Sequence, residues 1–215
     1  MGSQPNARNR LPRSRLEAFS DGVFAIAATL LVIEVHVPDV GSPGSGSLAH
    51  ALLDQWQSYA AYAVSFAVIG IMWVNHHATF DRVASVDRTL LFLNLLLLGF
   101  VAFIPFPTAV LATYLKTGVN AYSRTAAVFY SLVMLAVSVG FVLCWYYLGR
   151  HPDLLRADVE PHAARVAVRR ALFGVVVYLV TIPIALINPY LALGAYAALA
   201  LFFVFAERPA RAVLD

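Results

Sequence analysis

Six long apolar runs dominate this 215-residue sequence, at about 17–37, 57–77, 89–115, 122–149, 166–187 and 189–207. Each approaches or exceeds the ~20 residues that a helix needs to cross the ~30 Å hydrocarbon core of a bilayer. In lipid the backbone must satisfy its own hydrogen bonds, so runs of this length are helices. Membrane-spanning strands are about 10 residues long and alternate in polarity. Hydrophobic residues make up 60% of the chain and charged residues only 13%, against about 25% charged in soluble domains. A soluble fold of this composition would leave a large apolar surface in water. The expected fold is an all-α membrane protein with six transmembrane helices per subunit.

The joining segments are short. Val37 to Asp54 contains Pro38, Pro43 and a Gly/Ser cluster, and reads as an exposed irregular loop. Ala78 to Arg88 is charged, Lys116-Thr117-Gly118 is a tight turn, Gly149 to Arg165 is polar, and Asn188-Pro189 makes the last turn. Basic residues mark the cytoplasmic side of such a chain. With the N-terminus inside, 13 of the 15 Lys and Arg residues are cytoplasmic, and only Lys116 and Arg124 lie outside. Residues 1–15 then form a basic cytoplasmic tail, 16–208 the membrane unit, and 209–215 a C-terminal cytoplasmic tail. A cleaved signal peptide within residues 1–30 is the alternative, but Glu17 and Asp21 interrupt its apolar core.

Several functions are disfavoured. The net charge of +3 is small, and the basic residues sit at the ends of apolar runs, so nucleic-acid binding is not expected. Cys144 is the sole cysteine and can form neither an intrachain disulfide nor a cysteine-built metal cluster. His76 and His77 are adjacent, so on a helix they point about 100° apart, a poor spacing for a metal pair. No GxSxG, HExxH, P-loop or Rossmann glycine pattern occurs, so no catalytic residue, cofactor or metal is expected. The later spans lack central acidic residues, and the TVGYG potassium filter is absent.

The first span carries the unusual chemistry. Asp21 lies about one turn inside its boundary, where an ionisable group needs a partner or water. Ser20 and Asp21 could instead cap a helix start. Trp73, Asn75, His76, His77, Arg88 and Asn94 fall at a similar depth, and Trp73 also suits an interfacial anchor. Gly22, Ile26, Leu30 and Ile33, with Thr29 at the edge, share one helical stripe; Asp21, Ala25, Ala28 and Val32 share another. Periodicity does not decide whether the first stripe meets lipid, a neighbouring helix or an oligomer axis. Pro105, Pro107 and Pro183 imply kinks, and the small residues from Ala192 to Ala200 permit close helix packing.

The run Arg15-x-x-x-Phe19-Ser20-Asp21-Gly22-Val23-Phe24-Ala25-Ile26, followed by Thr29-Leu30-Leu31, resembles the signature of the lysosomal and bacterial potassium-channel family called transmembrane protein 175. The resemblance extends over the whole chain, through Trp73-x-x-His76, Asn94 and Phe103-x-Pro105-Phe106. It implies a homotetramer in the bacterial plasma membrane, without a pore loop, whose four first helices line a central pore. Conduction of potassium, with modest selectivity over sodium, is implied as well. Carried onto this chain, Gly22, Ile26, Thr29, Leu30 and Ile33 line the pore. Ile26 is then the narrow hydrophobic constriction, Leu30 and Ile33 are further rings, and Thr29 supplies a hydroxyl ring. Arg15, Phe19, Ser20 and Asp21 form a polar network with Trp73, His77 and Asn94. Animal members add a second six-helix repeat that this sequence lacks, so four copies are needed. Beyond the resemblance, four copies of Glu34 near the outer end would concentrate cations in a vestibule. The expected partners are other copies, membrane lipids and permeant monovalent cations. Proton permeation or proton-coupled transport is a second reading, motivated by His76, His77 and Asp21. A third is a non-transporting scaffold that docks a soluble partner on Arg165, Arg169 and Arg170, whose plain role is topology and anionic-lipid contact.

Overall fold

A computed structural model describes residues 13–38, 47–160 and 162–206, with side chains described as far as Phe203. Most of the N-terminal tail, the Gly/Ser cluster up to Gly46, and the C-terminal tail lie outside the described residues. The rest is helical: α1 Arg13–Leu30, α2 Leu48–Leu53, α3 Trp56–Phe80, α4 Arg88–Phe103, α5 Pro105–Leu115, α6 Ala121–Arg150, α7 Ala163–Ile187 and α8 Pro189–Ala206. Five stretches are long and apolar enough to cross a membrane: Arg13–Glu34, Trp56–Phe80, Arg88–Leu115, Ala121–Arg150 and Ala163–Ile187. The sixth run forms the shorter apolar helix α8.

The ends of the first span differ from expectation. The chain is already helical at Arg13, a turn before the apolar run, and the Arg13 guanidinium pairs with Glu17 at 2.9 Å across that turn. Ser20 and Asp21 therefore lie inside the helix and do not cap it. At the other end α1 tightens into a 3₁₀ turn, Leu31–Glu34, and Val35 is extended. The β-branched residues Val32, Ile33 and Val35, with Pro38 beyond, disfavour further helix. The first connection also holds a helix that the sequence reading missed. Ser47 caps α2 by accepting from the His50 amide at 3.3 Å.

The third apolar run is two helices. Pro105 has no N–H to donate, so α4 closes with the Ile104 amide on the Val101 carbonyl at 3.1 Å, and α5 starts at the proline. The Ile104 carbonyl is satisfied by the Thr108 amide at 3.2 Å and the Thr108 hydroxyl at 2.9 Å. Gly118 adopts φ 78° in the turn to α6, a conformation that glycine takes without steric cost. Asn120 and Ser123 then close a reciprocal cap on α6. Pro183 lies within α7, and Pro189 opens α8.

Helix α6 packs centrally, against α4, α5, α7 and α8. Buried hydroxyls join neighbouring helices along it. The Thr108 and Ser65 hydroxyls meet at 2.9 Å, and Ser65 bonds Tyr130 at 3.0 Å. Tyr196 meets Ser131 at 2.6 Å, and Thr181 donates to Ser131 at 3.1 Å. At the end where α1 begins, the α3–α4 and α6–α7 connections pair through Ala84 N to Leu154 O (2.8 Å) and Arg156 N to Arg82 O (2.9 Å). The bundle's outside is apolar, with exposed side chains such as Phe66, Leu96, Leu132 and Val180, as a lipid-facing surface requires.

Candidate functional site

The first helix has two chemically different faces. Leu16, Ser20, Phe24, Ala27 and Leu31 are buried against α3, α4 and α5. Their spacing of three or four residues keeps them on one side of the helix.

Ser20 is the polar member of that face. Its hydroxyl donates to the Leu16 carbonyl at 2.8 Å and accepts from the Asn94 amide nitrogen at 3.1 Å. The Asn94 oxygen meets Nε2 of His76 at 2.8 Å. An amide oxygen only accepts, so Nε2 carries the proton and donates. The polar chain thus runs His76 to Asn94 to Ser20 to the Leu16 carbonyl, with one donor for each acceptor. Phe24 and Phe80 flank the His76 ring, at centroid distances of 5.3 and 4.5 Å. Leaving a buried polar group without its partner costs about 1–3 kcal/mol, so the chain fixes the rotation of α1 against α3 and α4.

A second tie is closer to the surface. The Trp73 indole N–H donates to an Asp21 carboxylate oxygen at 2.8 Å, and Trp73 stacks on His77 at 6.0 Å. The structure therefore brings Ser20, Asp21, Trp73 and Asn94 together as hydrogen-bonded pairs. His77 reaches this group only through its ring contact with Trp73. The histidine that bonds Asn94 is His76, which the sequence reading placed at this depth but did not assign to the network. The signal was available: Ser65, Ile69, Met72 and His76 recur at helical spacing on the buried face of α3, whereas His77 falls outside it. Arg15 and Phe19 are exposed and lie outside this cluster. Arg13 makes the inter-helix ion pair instead, holding Asp81 at 3.0 Å.

The opposite face of α1 is exposed among the described residues. Gly22, Ile26, Thr29, Leu30 and Ile33 are all exposed, with Ile26 at 59% and Ile33 at 66%. The Thr29 hydroxyl donates back to the Ala25 carbonyl at 2.9 Å. Its hydrogen is thereby directed at the backbone, and its oxygen lone pairs are left to face outward. From Ile26 to Ile33 the stripe rises about 10 Å, at 1.5 Å per residue. Glu34 ends the 3₁₀ turn beyond it and is partly buried. The site is therefore one helix that is polar-locked on its inner side and presents apolar rungs and one hydroxyl on its outer side.

Comparison with known proteins bears on this arrangement. A family model described as the endosomal/lysosomal potassium channel TMEM175 matches residues 15–105, which include both faces of α1, Trp73, His76 and Asn94. A protein of Streptomyces collinus named as a potassium channel is 50% identical over 195 residues, covering 91% of this chain and 93% of its own length. The protein of Gallus gallus named endosomal/lysosomal proton channel TMEM175 is 44% identical over 101 residues, covering 44% of this chain and 20% of its own length. Among solved structures, the fold matches the crystal structure of a lysosomal potassium-selective channel TMEM175 homolog from Chamaesiphon minutus. That match has a TM-score of 0.80 and 38% identity, and covers 91% of this chain and 98% of the other.

Proposed function

Because this chain belongs to the TMEM175 family of ion channels, which is not an enzyme family, we propose that it conducts potassium through a four-fold pore lined by α1. The observation that carries this reading is the exposed stripe of α1, set opposite a face locked by buried hydrogen bonds. In a homotetramer four such stripes face one axis. Ile26 then forms the constriction, Leu30 and Ile33 form further rings, and Thr29 turns its oxygen toward passing ions. A narrow ring of isoleucines expels water and blocks ions until it widens. Ser20, Asp21, Trp73 and Asn94, with His77 stacked on Trp73, hold α1 at the right distance from the axis, and the exposed Arg15 and Phe19 lie beside them on the same helix. Residues 16–208 act as the channel unit in the plasma membrane, with 1–15 and 209–215 as cytoplasmic tails.

The test is ion flux into liposomes holding the purified protein, with potassium compared with sodium. Ile26→Asn and Leu30→Asn replace apolar rungs with polar ones. Each is expected to change flux or selectivity by about tenfold, a barrier change of ~1.4 kcal/mol. The same substitution at Ala28 or Val32, on the neighbouring stripe, is expected to change either by less than about twofold. Equal effects at all four positions would remove α1 from the pore wall.

A second reading, proton permeation, draws on the name of the Gallus gallus relative and on the polar chain beside the pore face. A proton wire needs every member to pass its proton onward. This chain ends on the Leu16 carbonyl, which cannot do so, and that favours a structural clamp. Proton flux driven by a pH gradient in the same liposomes, without potassium flux, would reverse the order of the two readings.

A further inference from the structure

The outer face of α7 is apolar along most of its length and basic at one end. α7 packs on α6 and α8, and the side turned away from them is exposed among the described residues. Leu172, Phe173, Val176, Leu179, Val180 and Ile187 recur there at helical spacing, and all are exposed. Over residues 172–187 this stripe rises about 22 Å, at 1.5 Å per residue. A surface of that length and character belongs against acyl chains.

Arg165 and Arg169 continue the same stripe toward the end of the bundle where α1 begins. They are one helical turn apart, so their side chains project side by side. Both are exposed, and neither has a hydrogen-bond or ion-pair partner among the described residues. The described carboxylates at this end are engaged elsewhere. Arg13 holds Glu17 at 2.9 Å and Asp81 at 3.0 Å, Arg156 holds Asp158 at 3.1 Å, and His162 lies 3.1 Å from Glu160. Asp21 accepts from Trp73, Asp87 accepts from Tyr147, and Asp153 also has a partner. The described residues of a second copy therefore bring no spare carboxylate to the two guanidinium groups. A lipid headgroup brings a phosphate, at the depth where the apolar stripe ends. Guanidinium meets phosphate through two parallel N–H donors. Val166, Ala167 and Val168 separate the two arginines, so no acidic side chain stands between them. Two cations without a carboxylate select a headgroup of net negative charge over one whose phosphate is offset by its own ammonium.

We propose that Arg165 and Arg169 form a binding site for one anionic phospholipid of the adjoining leaflet. Its phosphate lies between the two guanidinium groups, and its acyl chains lie along the stripe of residues 172–187. The site is local, unlike the diffuse attraction that every basic residue at this end exerts on an anionic leaflet. It is also independent of the pore, because bound lipid is counted by mass whether or not ions flow.

The experiment is native mass spectrometry of the full chain, purified in mild detergent and offered equal amounts of phosphatidylglycerol, phosphatidylethanolamine and phosphatidylcholine with matched acyl chains. The glycerol lipid is expected to be retained about tenfold over either of the others. Joint substitution Arg165→Gln and Arg169→Gln is expected to bring the three lipids within about twofold of one another. Arg150→Gln is the control, because Arg150 lies at the same end but its guanidinium donates to the Tyr146 hydroxyl at 2.6 Å. It is expected to leave the preference unchanged. All three arginines are exposed, so the fold survives the changes, and an unchanged thermal unfolding midpoint checks this. Equal retention of the three lipids, or a preference that survives the double substitution, would overturn the proposal. So would a loss in Arg150→Gln as large as that in the double variant, which would make the attraction a property of the whole basic surface. A double variant whose mass shows separated subunits would overturn it too, by placing this face of α7 in a contact between copies.

Discussion

Asn94 joins two helices to its own. Its amide nitrogen donates to Ser20 on α1, and its oxygen accepts from His76 on α3. Leucine is close to it in volume but makes neither bond. Asn94→Leu leaves the His76 N–H and the Ser20 oxygen without partners in an apolar interior. Hydrogen bonds between membrane helices are each worth about 0.6–2 kcal/mol, so the expected loss is about 1–3 kcal/mol. It should appear as a lower thermal unfolding midpoint of the purified protein in detergent, and an unchanged midpoint would mean that Asn94 does not tie the helices. Much of this cluster was legible in the sequence, because an intramembrane Ser-Asp pair demands partners and the topology brings Trp73 and Asn94 to the same depth. The choice between His76 and His77 depended on which way α3 is rotated. Reading Ser65, Ile69 and Met72 as one face would have settled it. Arg15 drew attention through the signature, whereas Arg13, outside the apolar run, is the arginine that pairs across helices.

Among elements, the break between α4 and α5 shows how one side chain serves two purposes. The Thr108 hydroxyl lies 2.9 Å from the Ile104 carbonyl at the start of α5 and 2.9 Å from the Ser65 hydroxyl on α3. Thr108→Val keeps the shape and removes both interactions. Ser65 and Tyr130 keep each other at 3.0 Å, so part of the trio survives. The expected destabilisation is about 1 kcal/mol, measured by the same thermal unfolding. A value near that of an exposed substitution such as Thr125→Val would show that the link to Ser65 is not formed. The prolines made the break foreseeable. The two hydroxyl trios at Tyr130 and Tyr196 were not, because hydroxyl contacts depend on helix rotation and depth that hydropathy does not encode. The spans themselves were legible because lipid forces length and apolarity on them. Their ends moved by a few residues where ion pairs and prolines act locally, and α2 was missed because it is short and follows a Gly/Ser-rich stretch.

For the whole molecule, the inner side of α1 serves its outer side: the clamp fixes the helix's rotation, and in the proposed tetramer rotation would decide which side chains face the axis. That geometry places Glu34 beyond Ile33, at the far end of α1 from Arg13. Four Glu34 carboxylates around one mouth would raise the local potassium concentration by long-range attraction, not by contact. Such attraction is screened over about 30 Å at 0.01 M salt but only about 3 Å at 1 M. Glu34→Gln is therefore expected to lower single-channel potassium conductance about twofold at 0.01 M potassium and to leave it nearly unchanged at 1 M. A charge that instead bound the ion directly would alter conductance at both concentrations. A charge far from the mouth would alter it at neither, and either result would move Glu34 out of the vestibule.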